Sequence, residues 1–157
     1  RLELTSQGKI LKDIINELRN MIYNLRPMSF DDIGFNITVE RALDKLRNSN
    51  NIRCNFKTSG DEYMVDSLVS LTLLRVIQEA CSNSIKHGHA KEINVSLKYE
   101  PKSLTLTIKD DGDGFDTSAI PEFTREDNSG FGLSMMKERI YLLSGKISIS
   151  SKPGEGV

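Results

Sequence analysis

The sequence predicts an α+β protein, a two-layer sandwich in which helices cover one face of an antiparallel or mixed sheet. Three observations carry that reading. A long stretch of helical period runs from about Asp66 to His87. Two alternating runs follow, Ile93, Val95, Leu97 and Leu104, Leu106, Ile108, joined by Glu100-Pro101-Lys102-Ser103 as a hairpin. Helical period returns from Gly130 to about Ser144, with Leu133, Met136, Ile140 and Leu143 inward.

The remaining elements fall in order around these three. Residues from about Ser6 to Leu25 read as one helix, because Ile10, Ile14, Leu18, Met21 and Leu25 share a stripe that Leu11, Ile15 and Ile22 widen. So wide a stripe suits a bundle or dimer helix, although an ordinary core helix has the same pattern. Pro27 ends it. Asn36 to about Asn48 reads as a second helix, with Ile37, Leu43 and Leu46 inward. Ile52, Cys54 and Phe56 alternate as a half-buried strand that Thr58-Ser59-Gly60-Asp61 breaks. Gly88 closes the long helix. Asp116 to Ser129 is polar and aperiodic and reads as a mobile loop. Lys146 to Ser150 reads as a short strand before the turn Lys152-Pro153-Gly154-Glu155-Gly156.

Bulk properties exclude several function classes. A net charge of -1 over 157 residues supplies no basic field, so no direct nucleic-acid binding is expected. No apolar run approaches the roughly 20 residues that span a bilayer. Two histidines and two cysteines without CxxC spacing make a zinc site improbable. Cys54 and Cys81 read as core thiols of a reducing compartment. The chain opens at Arg1 without Met and stops at Val157 after a Gly-rich turn, so both ends are expected to continue in a longer protein.

Four short motifs carry chemistry. Glu79, Asn83 and His87 recur every four residues and share one face of the long helix, with Lys86 beside them. Carboxylate and amide oxygens are hard ligands suited to Mg²⁺ beside a phosphate, and a carboxylate can polarise a nucleophile. The same stripe also fits a solvated face. Asp110-x-Gly112-x-Gly114 ends a strand, where glycines let a backbone approach a ligand and the aspartate can accept from an amino group. It also fits a common turn. Gly130-Phe131-Gly132-Leu133 opens a helix whose free N–H groups can take phosphate. Gly154-x-Gly156 alone reads as a hairpin turn.

Their order is more specific than any one of them. In that order the chain resembles the Bergerat-fold (GHKL) ATPases, the superfamily of histidine kinases, Hsp90, type II topoisomerases and MutL. Residues 78–87 look like the N box, Asp110 to Phe115 like the G1 box, Gly130 to Leu133 like the G2 box, and Gly154 to Gly156 like the last glycine turn. Leu25-Arg26-Pro27 with Asp32-Ile33-Gly34-Phe35, and the segment Phe131 to Arg139, resemble the corresponding stretches of DegS/NarX-type sensor histidine kinases.

The resemblance implies ATP and Mg²⁺ as cofactors and a set of roles. Glu79 would orient or deprotonate the nucleophile and lie in or near the metal's outer shell, and Asn83 would ligate Mg²⁺. Lys86 and His87 would approach the phosphates. Asp110 would bond the adenine amino group in a pocket shaped by Gly112, Gly114 and Phe115. Gly130, Phe131, Gly132 and Leu133 would sit at the phosphates, Gly154 and Gly156 would complete the site, and residues 116–129 would be the ATP lid. Residues 1–30 would be part of the dimerisation and histidine-phosphotransfer helix, and 31–157 the catalytic ATP-binding domain without its last strand. Neither His87 nor His89 would be the phospho-acceptor. The implied partners are a second copy through the dimerisation helices and a response regulator with a helix-turn-helix output domain of the NarL/LuxR type. The implied setting is the cytoplasm, with the full-length protein free or anchored in the cytoplasmic membrane.

Three positions depart from the family pattern: Asp111 where many relatives have Asn, Met135 for a usual Gly, and Val157 for a common Thr. Rival readings are another GHKL enzyme, such as an anti-sigma-type serine kinase or an ATPase, and a degenerate module that only binds the regulator.

Overall fold

The computed structural model describes residues 33–117 and 131–157. The chain divides into two compact units, residues 1–32 and 33–157. The expected dimerisation helix and most of the expected lid lie outside the described residues. Among the described residues the elements are α1 (Phe35–Asn50), β1 (Arg53–Ser59), α2 (Ser67–Lys86), β2 (Glu92–Glu100), β3 (Ser103–Asp110) and α3 (Phe131–Leu142).

Gly34, at φ 78°, turns the chain into α1, and its carbonyl accepts from both the N–H and the hydroxyl of Thr38. Phe35, Val39 and Leu43, spaced by four, form the buried stripe of this helix. Ile37 was expected inward but is exposed. It sits two residues from Phe35, about 200° round the helix, on the opposite face. Arg47 fastens α1 to β1 by donating through Nε to the Cys54 carbonyl at 2.8 Å.

The sheet is mixed, in the order β1-β2-β3. β1 lies parallel to β2, with Cys54 opposite Ile93, and β2 lies antiparallel to β3, with Val95 opposite Ile108. A parallel neighbour needs a crossover, and α2 supplies it. Strict alternation in β2 places Ile93, Val95, Leu97 and Tyr99 under the helices and leaves Asn94, Ser96 and Lys98 exposed on the other face. With Ile77 and Cys81 of α2, those side chains make the core. Burying each aliphatic side chain fully contributes about 1.5–3 kcal/mol. Asp66 caps α2 by accepting the N–H groups of Leu68 and Val69, a contact that typically stabilises by about 1 kcal/mol.

Lys146–Ser150, expected as a strand, pairs with no other strand among the described residues. Alternation in a sequence marks only one side of a ladder. The outer edge of β3 meets the chain's far end at Asp110, whose N–H donates to the Val157 carbonyl at 3.0 Å. Among the described residues no helix is long and apolar enough to cross a membrane.

Candidate nucleotide-binding site

Asp110, the last residue of β3, is where three segments meet. Its Oδ1 accepts the Gly112 N–H at 2.9 Å, and its Oδ2 accepts the Ser84 hydroxyl, from α2, at 2.6 Å. From the far end, Gly156 closes against it at φ 73°, where an added Cβ would lie 2.1 Å from the Asp110 carbonyl oxygen. Gly112 is equally confined, since a Cβ there would stand 2.4 Å from the Gly88 carbonyl oxygen and 2.9 Å from Asp110 Oδ1. The two hydrogen bonds orient the half-buried carboxylate and leave lone pairs unused on both oxygens.

The loop after Asp110 is stitched on both sides. The Asp113 N–H donates to Gly88 O at 2.7 Å, tying it to the exit of α2. The Phe115 N–H donates to Ser151 Oγ at 2.8 Å, and that buried hydroxyl donates to Gly156 O at 2.6 Å. Gly154 joins through its N–H to Asp113 O. An exposed pair, His89 Nδ1 with Asp113 Oδ2 at 2.7 Å, bridges the same two loops. Asp111 turns the other way, and its Oδ1 accepts the N–H groups of Lys91 and Glu92, each at 2.8 Å. Those donors, Glu92 first, hold its carboxyl below the usual aspartate range.

A second cluster lies on the same helix. Asn83 Nδ2 donates to Glu79 Oε1 at 3.3 Å, both residues being half-buried. Gly132, the second residue of α3, rests against them: a Cβ there would fall 2.2 Å from Glu79 Oε1 and 3.3 Å from Asn83 Nδ2. Leu133 is half-buried beside it in sequence, Phe131 opens the helix, and Gly130 lies outside the described residues. Lys86 and His87 are exposed at the end of α2, where the His87 N–H caps Asn83 O at 2.9 Å.

The structure therefore gathers Gly112 and Gly156 around the Asp110 carboxylate, with Gly114 against Lys152 and Gly156 and Phe115 on Ser151, and Asn83 and Gly132 around the Glu79 carboxylate. Gly154 turns the chain between them and the open surface, with nothing within 4 Å of where its Cβ would be. Sequence reasoning missed Ser84 and Ser151. Ser84 stands directly after Asn83 and could have been found as a polar residue on the buried side of a helix. Ser151 carries no local signal, because its partners come from residues 115 and 156.

The thiols are buried beneath the first cluster. Burial pushes the Cys81 thiol up to about 12, with Cys54 and the Asp110 carboxylate adding to the rise, and burial raises Cys54 too. Neither is expected to be alkylated by iodoacetamide at pH 8 in the folded chain, while both react in denaturant. Mass spectrometry of the quenched reaction reads this, and labelling of Cys81 in folded protein would contradict its burial.

The residues fit a nucleotide. A carboxylate with free lone pairs among close-packed glycines suits the exocyclic amino group and flat face of a purine. Asn83 donates through Nδ2 to Glu79, and its Oδ1, which meets no hydrogen-bond donor among the described residues, is available as a hard ligand. Among the described residues no three acidic, histidine or cysteine side chains cluster as a metal site of their own.

Comparison with known proteins agrees. The chain belongs to the histidine kinase-, DNA gyrase B- and HSP90-like ATPase family, whose model matches residues 69–157. Membership of that family implies that the chain binds ATP. The chain is 33% identical over 154 residues, 98% of its length, to the signal transduction histidine-protein kinase/phosphatase DegS of Brevibacillus brevis. It is 36% identical over 134 residues to DegS of Bacillus subtilis, covering 83% of this chain, and 36% identical over 157 residues, 98% of this chain, to an uncharacterized sensor-like histidine kinase of Chloroflexus aurantiacus. It spans only 38%, 34% and 26% of those three proteins respectively. The fold is like that of the Acinetobacter baumannii histidine kinase AdeS, with a TM-score of 0.62 at 20% identity over 98% of this chain and 78% of that one.

Proposed function

We propose that this chain is the catalytic ATP-binding part of a two-component sensor histidine kinase that moves the γ-phosphoryl of ATP to a histidine of its dimerisation helices, for relay to a response-regulator aspartate. One observation carries the reading: a half-buried carboxylate, Asp110, and a carboxylate–amide pair, Glu79 with Asn83, are served by a single helix. That is the layout needed to hold the two ends of one nucleotide.

Asp110 accepts from the adenine amino group while Gly112, Gly114 and Gly156 let the backbone close on the ring. Asn83 offers its Oδ1 to Mg²⁺, and Lys86 and His87, at the exposed end of α2, meet the phosphates together with the N–H groups that open α3. Bound Mg²⁺ supplies charge neutralisation along the phosphates. Glu79 orients the attacking histidine and accepts its proton as the ring nitrogen bonds to phosphorus and ADP departs. Residues 1–30 belong to the dimerisation helices, the pair of copies forms through them, and residues 116–129 close over the nucleotide. The resemblance extends to a regulator with a helix-turn-helix output domain and to a cytoplasmic setting.

The test is calorimetric titration of ATP with and without Mg²⁺, followed by labelling with γ-labelled ATP after the dimerisation helices are supplied. The expected result is Mg²⁺-dependent binding, then acid-labile label whose rate falls more in Glu79→Ala than ATP affinity does. Absence of nucleotide binding would overturn the reading.

A further inference from the structure

The Ser84 hydroxyl has two oxygens in reach and one proton to give. Ala80 O, one helical turn back, lies at 3.0 Å, and Asp110 Oδ2 lies at 2.6 Å. The shorter contact is to the charged acceptor, which wins the proton because a charge-assisted bond is roughly twice as strong as a neutral one. Ser84 is buried, so water does not compete for it.

The consequence falls on the carboxylate. Gly112 N–H holds Oδ1 and Ser84 holds Oδ2, so rotation of the carboxyl plane breaks both bonds together. Gly156 crowds the same group, its would-be Cβ standing 3.1 Å from Oδ1. Without the hydroxyl, Oδ2 loses its hydrogen bond and the plane is held from one side, through Oδ1.

We propose that Ser84 is a positioning residue for base recognition: it fixes the plane of Asp110 so that a free lone pair faces the 6-amino group of adenine. This rests on the adenine role proposed for Asp110. Ser84 touches neither the base nor the phosphates. It acts through Asp110, and its neighbour Asn83 on the same helix serves the other end of the nucleotide.

Ser84→Ala removes one oxygen and places a better helix former in α2, so the fold is expected to lose little. The informative comparison is between ATP and purine riboside triphosphate, which lacks only the 6-amino group. Calorimetry on the full 157-residue chain gives both affinities, and thermal unfolding reads stability alongside. The wild type is expected to prefer ATP by about tenfold or more, and Ser84→Ala to cut that preference by about threefold or more, with purine riboside triphosphate bound nearly as before. An unchanged preference in Ser84→Ala, or equal weakening of both nucleotides with a lower Tm, overturns the proposal and leaves the ATP site standing. A wild type that binds both nucleotides equally overturns the adenine role of Asp110 and this proposal with it.

Discussion

Replacing Asp110 by Asn should weaken ATP binding by about 10- to 150-fold without unfolding the domain. The change is isosteric, but the amide has only one acceptor oxygen. Gly112 N–H claims the oxygen on the Oδ1 side. The NH₂ then falls on the Oδ2 side, where the Ser84 hydroxyl can accept it by turning its own proton back to Ala80 O at 3.0 Å. The local network thus survives, which is why the fold should survive. What is lost is the acceptor for the adenine amino group, which would meet a donor instead. Calorimetry checks the affinity and circular dichroism the fold; unchanged affinity in a folded variant would remove adenine from Asp110.

The two terminal glycines should respond very differently to the same substitution. Gly156→Ala puts a Cβ 2.1 Å from the carbonyl oxygen of Asp110 at φ 73°. Backbone must move, and the backbone in question holds both the end of β3 and the Asp110 carboxylate. A loss of about 3 kcal/mol or more in stability is expected, with ATP affinity falling as well. Gly154 has a similar φ of 83° but open space around it. Gly154→Ala should therefore cost only the left-handed penalty, about 1–2 kcal/mol, and leave affinity nearly intact. Urea unfolding of both variants measures the difference. Equal losses would mean that the close approach of Gly156 to Asp110 is not what demands a glycine there.

Much of this was legible in the sequence because it is periodic or sequentially local. The alternation of β2 and the hairpin to β3, the span of α2 and the glycines after Asp110 needed no long-range information. What escaped was decided by partners far along the chain. The Gly154-x-Gly156 pair reads as an ordinary turn until Gly156 is seen against Asp110. Ser84 and Ser151 are ordinary polar residues until residues 110, 115 and 156 arrive. The direction of β1 was open between antiparallel and mixed, since alternation carries no sign. Ile37 is apolar yet exposed, because it stands about 200° round α1 from the buried Phe35. Lys146–Ser150 has a strand's alternation but no ladder among the described residues. Asp111, which stands where the resemblance implies an Asn in many relatives, keeps its carboxylate on two backbone N–H groups, a task that either side chain's oxygen can perform.

The parallel pairing of β1 with β2 has a consequence for how the molecule acquires its function. Partners across that ladder, such as Asn55 and Asn94, are 39 residues apart, and the helix between them carries Glu79, Asn83 and Ser84. The loop must close before the ladder gives anything back, so this step belongs late on the route from the disordered chain. Asp110 meets Ser84 only once the same crossover has docked. No early, locally ordered species can then possess a working nucleotide cleft, and ATP can select only the finished state. Its affinity translates into slower global unfolding rather than into faster formation of any fragment.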